Sequence, residues 1–130
     1  MNPKVWSLLG RAHEDLAVAG ELLQGSHPEH AASAAYYGMF HAAEALLLSI
    51  GIEVSSHGAT HAAFGLHFAK TRKLSPDLHR NLIQAFNKRV AADYDVSVKL
   101  TPEEARTLLE QAQEVVAAAE DYLNTAASGP

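Results

Sequence analysis

Four of the chain's five prolines stand directly behind, or close to, a residue that can cap a helix, and this punctuation limits the fold more than any other feature. The sites are Asn2-Pro3, Ser26-His27-Pro28-Glu29, Ser75-Pro76 and Thr101-Pro102-Glu103-Glu104. A side-chain oxygen at the N-cap satisfies backbone N–H groups of the first turn, and proline fits that turn because its missing N–H would have no intrahelical partner there. Thr101 with Glu104 three residues on is a capping box, and Ser55 or Ser56 can cap one further helix. Gly25 and Gly51 mark two helix ends. Together these signals predict five helices, at roughly 3–24, 28–50, 56–72, 76–95 and 102–125, with no competing strand signal.

Short connections imply antiparallel neighbours, so the expected fold class is all-α, an up-and-down antiparallel bundle of four to five helices. Residues 1–125 are read as one domain and 126–130 as a flexible C-terminal tail. At 130 residues and 48% apolar content the chain can bury one sizeable core. Within the second helix Ala31, Ala35, Gly38, Ala42 and Ala45 form an all-small seam that allows another helix to approach closely, flanked by Met39, Leu46 and Ile50. The seam suits dimerisation as readily as internal packing. Ala105, Leu108, Ala112, Val115, Ala119 and Tyr122 give the fifth helix a packing stripe. Polar residues fall on other stripes: His13 lies on the line of Trp6, Leu9, Leu16 and Leu23, while His57 and His61 share a face with Phe64 and Phe68. Burying such groups unpaired costs about 1–3 kcal/mol each, so they need partners.

Several chemistries are excluded. The absence of cysteine removes disulfides, thiolate metal sites and a cysteine nucleophile. No apolar run approaches the ~20 residues of a membrane span, and the N-terminus lacks the apolar core of a signal peptide, so a cytoplasmic location without a membrane partner is expected. There is no GxSxG elbow, Walker A loop or dinucleotide GxGxxG, and the sequence implies no cofactor. Metal binding has one opening: His57 and His61 have the i,i+4 spacing that lets two imidazoles meet one zinc. No glutamate makes an HExxH motif of them, and a third ligand would have to come from His13, His41 or Glu44.

Net charge is -5, yet residues 54–92 hold Lys70, Arg72, Lys73, Arg80, Lys88 and Arg89 against the single acid Asp77. A local anion site such as phosphate or an RNA backbone fits that distribution better than a general polyelectrolyte surface. Leu78, Leu82, Ala85, Arg89, Ala92 and Val96 share one helical stripe, so a guanidinium occupies a position where an apolar residue is expected. Its planar fork can clamp phosphate through two charge-assisted bonds. Asp93 is its i,i+4 neighbour and can instead form an intrahelical ion pair, worth only ~0.2–0.5 kcal/mol on a surface. Tyr36, Tyr37 and Tyr94 can add base stacking or hydroxyl contacts, although tyrosine at helical spacing also serves a core.

The run Ala34-Ala35-Tyr36-Tyr37-Gly38-Met39-Phe40-His41-Ala42-Ala43-Glu44-Ala45-Leu46-Leu47-Leu48, followed by Gly51, His57, Phe64 and then Arg89-Val90-Ala91-Ala92-Asp93-Tyr94, resembles the HEPN domain over nearly the whole chain. The resemblance implies a helical bundle, often a homodimer, commonly partnered with a minimal nucleotidyltransferase in toxin-antitoxin or defence systems. Many members of that family are metal-independent RNases whose arginine is followed, after an interval of four to six residues, by a histidine facing a cleft at the dimer interface. Arg89 matches the arginine. No histidine follows it, and the corresponding positions hold Tyr94, Asp95 and Val96. In related toxins a tyrosine just beyond the arginine is nucleotidylated by the partner, which makes Tyr94 the corresponding acceptor.

Three readings follow. The first is a HEPN-like homodimeric module that binds nucleotide or RNA phosphate, or docks a nucleotidyltransferase, through Arg89, Asp93, Tyr94, Tyr37, His41 and His57. A metal-independent RNase using Arg89, Asp93 and a histidine from another helix, His57 or His41, is the second. The third is a His57/His61 metal-binding bundle.

Overall fold

The predicted helix starts recur in the computed structural model, which describes residues 1–128. Helix α1 spans Pro3–Gln24, α2 Pro28–Ser49, α3 His57–Phe64, α4 Pro76–Tyr94 and α5 Pro102–Ala127, and no strand occurs among the described residues. Asn2, Ser56, Ser75 and Thr101 each accept a backbone N–H of the first turn, and Thr101 with Glu104 completes the capping box. His27 precedes α2 without a side-chain cap bond, so neither it nor Ser26 caps that helix. Gly51 takes the left-handed φ of 82° just past α2, as a helix-ending glycine does. At the end of α1 that role passes to Ser26 at φ 68°, while Gly25 remains at -79°.

Three further boundaries differ from expectation. The third helix stops at Phe64 and continues as a π-helical turn, Gly65–Ala69, before the chain leaves the helix. Gly65 lies against the His79 ring, where a Cβ would come within 2.8 Å of Nε2, so only glycine lets the turn and α4 approach this closely. Helix α5 runs on through Ala126 and Ala127, both assigned to the tail from sequence, and residues 129–130 of that tail lie outside the described residues. The α4 stripe holds for Leu78, Leu82 and Ala85, but the helix ends before Val96, which is 85% exposed.

Helix α2 is the axis of the bundle and packs against all the other helices. The small seam makes this arrangement achievable: Ala31, Ala35, Gly38, Ala42 and Ala45 are all buried. At Gly38 an added Cβ would sit 2.9 Å from Leu16 Cδ2 and 3.4 Å from the Ala12 carbonyl oxygen, so α1 occupies the seam and leaves none of it for a second copy. Helix α5 supplies Ala105, Leu108, Ala112, Val115 and Ala119 as expected, joined by Val116 and Leu123, while Tyr122 is only half-buried. The buried face of α1 is Val5, Leu9, Ala12 and Ala19, one position away from the His13 line; Trp6 and His13 are exposed, and His13 pairs with Glu120 at 2.8 Å.

Replacing Gly38 by valine inserts carbon into the tightest α1–α2 contact. Urea denaturation of Gly38→Val should show a loss of about 1–3 kcal/mol of stability relative to the parent chain, the usual cost of overpacking a dense interface.

Candidate functional site around Arg89

Because four helices surround α2, it reaches solvent along one narrow stripe: Glu29 and His30, then Ser33 and Ala34, Tyr37, His41, Glu44 and Leu48. The spacing of three and four residues is that of a single helix face. Ser33, Tyr37 and His41 stand one turn apart on it. A depression lined by Glu29, Ser33, Asp93 and Lys99 opens at one end, and another lined by Lys4, Glu44 and Leu48 at the other.

Arg89 reaches this stripe from α4. Its Nε donates to Ser33 Oγ at 3.2 Å and its Nη2 to the Tyr37 hydroxyl at 3.0 Å. The guanidinium carbon lies 4.9 Å from the centre of the Tyr37 ring and 5.7 Å from that of Tyr36, within cation–π range. Asp93 is the only carboxylate near it among the described residues, at 3.5 Å and half-exposed. Neutral hydroxyls and aromatic faces therefore do most of the orienting, and Nη1 makes no hydrogen bond. Thr60 Oγ1 is the one buried side-chain polar atom left without a partner among the described residues, so Nη1 is open to solvent.

Beneath the arginine lies a buried polar chain. The Tyr36 hydroxyl, on a fully buried ring, is 2.6 Å from Nδ1 of His57 and 2.8 Å from Nε2 of His61. A hydroxyl carries one hydrogen, so it donates to one imidazole and accepts an N–H from the other. Burial pushes the Tyr36 hydroxyl's pKa up, against the opposing influence of Arg89. Burial pulls His61 down to about 4, with His57 and His79 adding to the effect, so this ring is neutral near pH 7. His57 is lowered by burial first and by the Arg89 charge second. His79 Nε2 donates to the His61 carbonyl at 3.0 Å, holding α4 against α3.

A second imidazole borders the same tyrosine. His41 stacks on Tyr37 with ring centres 6.0 Å apart, and its Nδ1 is 2.6 Å from Asp15 Oδ2 of α1. Both partners are largely buried. Nearby Glu44 is raised above the usual carboxylate range by burial, with His41 and Lys4 pulling the other way.

The structure thus brings together Arg89, Asp93, Tyr37, His41 and His57 of the residues expected from sequence. Tyr94 does not join them: it is 87% exposed at the end of α4. His57 and His61 do converge, but on the Tyr36 hydroxyl, and no group of three or more His, Cys, Asp or Glu residues is placed to hold a metal ion among the described residues. His13 and His41, two of the third ligands considered, are engaged by Glu120 and Asp15 instead. Asp15, Ser33 and the bridging role of Tyr36 were not anticipated. The i,i+4 spacing of Ser33, Tyr37 and His41 carried a signal; for Asp15, 26 residues from its partner, no local pattern existed.

The all-helical bundle agrees with the sequence comparison. This chain belongs to the HEPN family, whose domain profile matches residues 5–122. A UPF0332 protein of Gloeobacter violaceus is 31% identical over 124 residues, 95% of this chain and 98% of the relative. A protein of Methanocaldococcus jannaschii named "Putative toxin MJ0142" is 33% identical over 102 residues, 78% of this chain and 69% of the relative. Another UPF0332 protein, from Thermotoga maritima, is 32% identical over 79% of this chain and 78% of its own length. No helix among the described residues is long and apolar enough to cross a membrane.

The buried imidazole gives the fold a defined acid sensitivity. An unfolded chain protonates His61 near 6.5, whereas the folded chain resists this until about 4. Stability from this group is complete above the higher value and is lost as pH falls through the interval, about 2–3 kcal/mol in all. Chemical denaturation across that interval should show the decline, and His61→Gln should flatten it.

Proposed function

We propose that this chain is the HEPN member of a toxin-type pair and that the Arg89 stripe recognises the phosphate of a nucleotide or RNA ligand. The observation that carries this reading is a guanidinium oriented by Ser33, Tyr37 and two aromatic faces, with Nη1 left open to solvent. An arginine serving only a salt bridge would need a close carboxylate, and Asp93 is both long at 3.5 Å and half-exposed. The toxin named among the relatives supports the biological setting. A minimal nucleotidyltransferase as partner and a homodimeric state belong to the same proposal, with exposed Tyr94 the side chain such a partner could reach and modify.

Fluorescence anisotropy with a labelled short oligouridylate, at fixed salt, tests this reading. Arg89→Lys keeps the charge but loses the planar fork, and should weaken binding about tenfold, with a larger loss for Arg89→Ala. Unchanged affinity per folded molecule in both variants would overturn the reading.

A second reading, metal-independent RNA cleavage, is favoured by one specific arrangement. His57 and His41 border the Tyr37 ring at 5.9 and 6.0 Å, with Arg89 against the same ring. Two imidazoles and a cation around one tyrosine ring are the parts that acid–base cleavage of a phosphodiester needs. Cleavage that persists in EDTA and disappears in Arg89→Ala is the expected result, and complete inhibition by EDTA would exclude it.

A further inference from the structure

We propose that Asp15 and His41 form the proton-donating half of the groove, Asp15 fixing the ring so that His41 Nε2–H faces a departing alcohol oxygen of a bound RNA phosphodiester while His57 takes up the opposing proton. This rests on the cleavage reading and assigns its roles. The Asp15 carboxylate lies 2.6 Å from His41 Nδ1, a contact that selects the Nδ1–H tautomer and fixes the ring. His41 Nε2 makes no hydrogen bond and is not among the buried orphan atoms, so it reaches solvent. The same holds for His57 Nε2. Both rings also border Phe40, at 5.8 and 4.7 Å, which places them on one side of the bundle.

The two imidazoles differ in their hydrogen-bond partners, a carboxylate for His41 and a tyrosine hydroxyl for His57. Oriented so that His57 Nδ1–H donates to the Tyr36 oxygen and the Tyr36 O–H donates to neutral His61 Nε2, the buried chain leaves His57 Nε2 as an acceptor. His41, by contrast, is held against a carboxylate. Asp15 faces it from α1, Tyr37 and Glu44 from its own helix, and Lys4 lies behind Glu44. His57 of α3 and Arg89 of α4 stand beyond Tyr37.

In the reaction, the ribose 2′-oxygen bonds to phosphorus and its proton passes to His57 Nε2. The bond from phosphorus to the 5′-oxygen breaks with its electron pair on oxygen, which takes the proton from His41 Nε2. The products are a 2′,3′-cyclic phosphate and a 5′-hydroxyl; His57 now carries one proton more and His41 one fewer, and exchange with water resets both. Arg89 meets the charge that develops on the non-bridging oxygens.

The test is kcat/KM in EDTA for the dinucleotide UpA and for uridine 3′-(4-nitrophenyl phosphate), whose leaving oxygen needs no proton, with the parent chain, His41→Gln, Asp15→Asn and Asp15→Glu each checked for folding by circular dichroism. His41→Gln should lose about 100-fold or more on UpA and far less on the activated ester. Asp15→Asn should lose about tenfold on UpA alone, and Asp15→Glu should recover part of that loss. A merely structural Asp15 would lower both substrates alike. Should His41→Gln not fold, the substrate contrast in Asp15→Asn decides alone. Parent cleavage of UpA that survives both variants, or losses equal on the two substrates, overturns this assignment and leaves the cleavage reading standing. No cleavage by the parent chain overturns both, while the binding reading is judged separately by the Arg89 variants.

Discussion

The close approach of α1 to α2 across the Gly38 seam governs the rest of the structure. Alanine and glycine on the seam let the α1 backbone come near, while buried Tyr36, Met39, Phe40, Leu46 and Leu47 fill the space toward the other neighbours of α2. The enclosure has a consequence for polar residues. With only one stripe of α2 left open, Ser33, Tyr37, His41 and Glu44 lie on it, and there Arg89 of α4 meets Ser33 and Tyr37 while Asp15 of α1 meets His41. The candidate site is the place where the packing of α2 stops.

Within that stripe the electrostatics are unusual for a part-buried arginine. Guanidinium groups away from water are commonly matched by carboxylates; here two hydroxyls and two tyrosine faces provide most of the match. The guanidinium charge is thus only partly matched within the fold. The chain as a whole is acidic, so a concentrated cation in a partly desolvated groove exerts a local field that the net charge of -5 conceals.

The histidines divide by environment and not by sequence neighbourhood. His61 is sealed beneath Tyr36 and kept neutral by burial, and the shared hydroxyl couples its tautomer to that of His57. His41 is tied to a carboxylate on another helix. His13 meets Glu120 near the surface, and His79 props α3 on α4. Identical side chains thereby meet a hydroxyl, a carboxylate or a backbone carbonyl according to the helix that faces them, and Gly65, by admitting the His79 ring, helps to hold the arrangement in place.

Much of the architecture was legible because its causes are local. Capping residues, prolines and helical periodicity act within a few positions of the chain, and they located all five helices, the α2 seam and most of the α5 stripe. Arg89 could be singled out because a charge on an apolar stripe is visible in a helical projection. The π-helical turn was not legible, since it answers to the fit of Gly65 against His79 in another helix. The His57/His61 pair was legible as a pair, but its partner was not, because spacing alone cannot reveal that a tyrosine hydroxyl from α2 stands between the rings. By itself the sequence determined the helices, their order and the arginine's anomaly. Only the tertiary structure decided which partners meet, Arg89 with Ser33 across 56 residues and His41 with Asp15 across 26, because contacts between helices depend on how whole faces pack and not on any pattern within one of them.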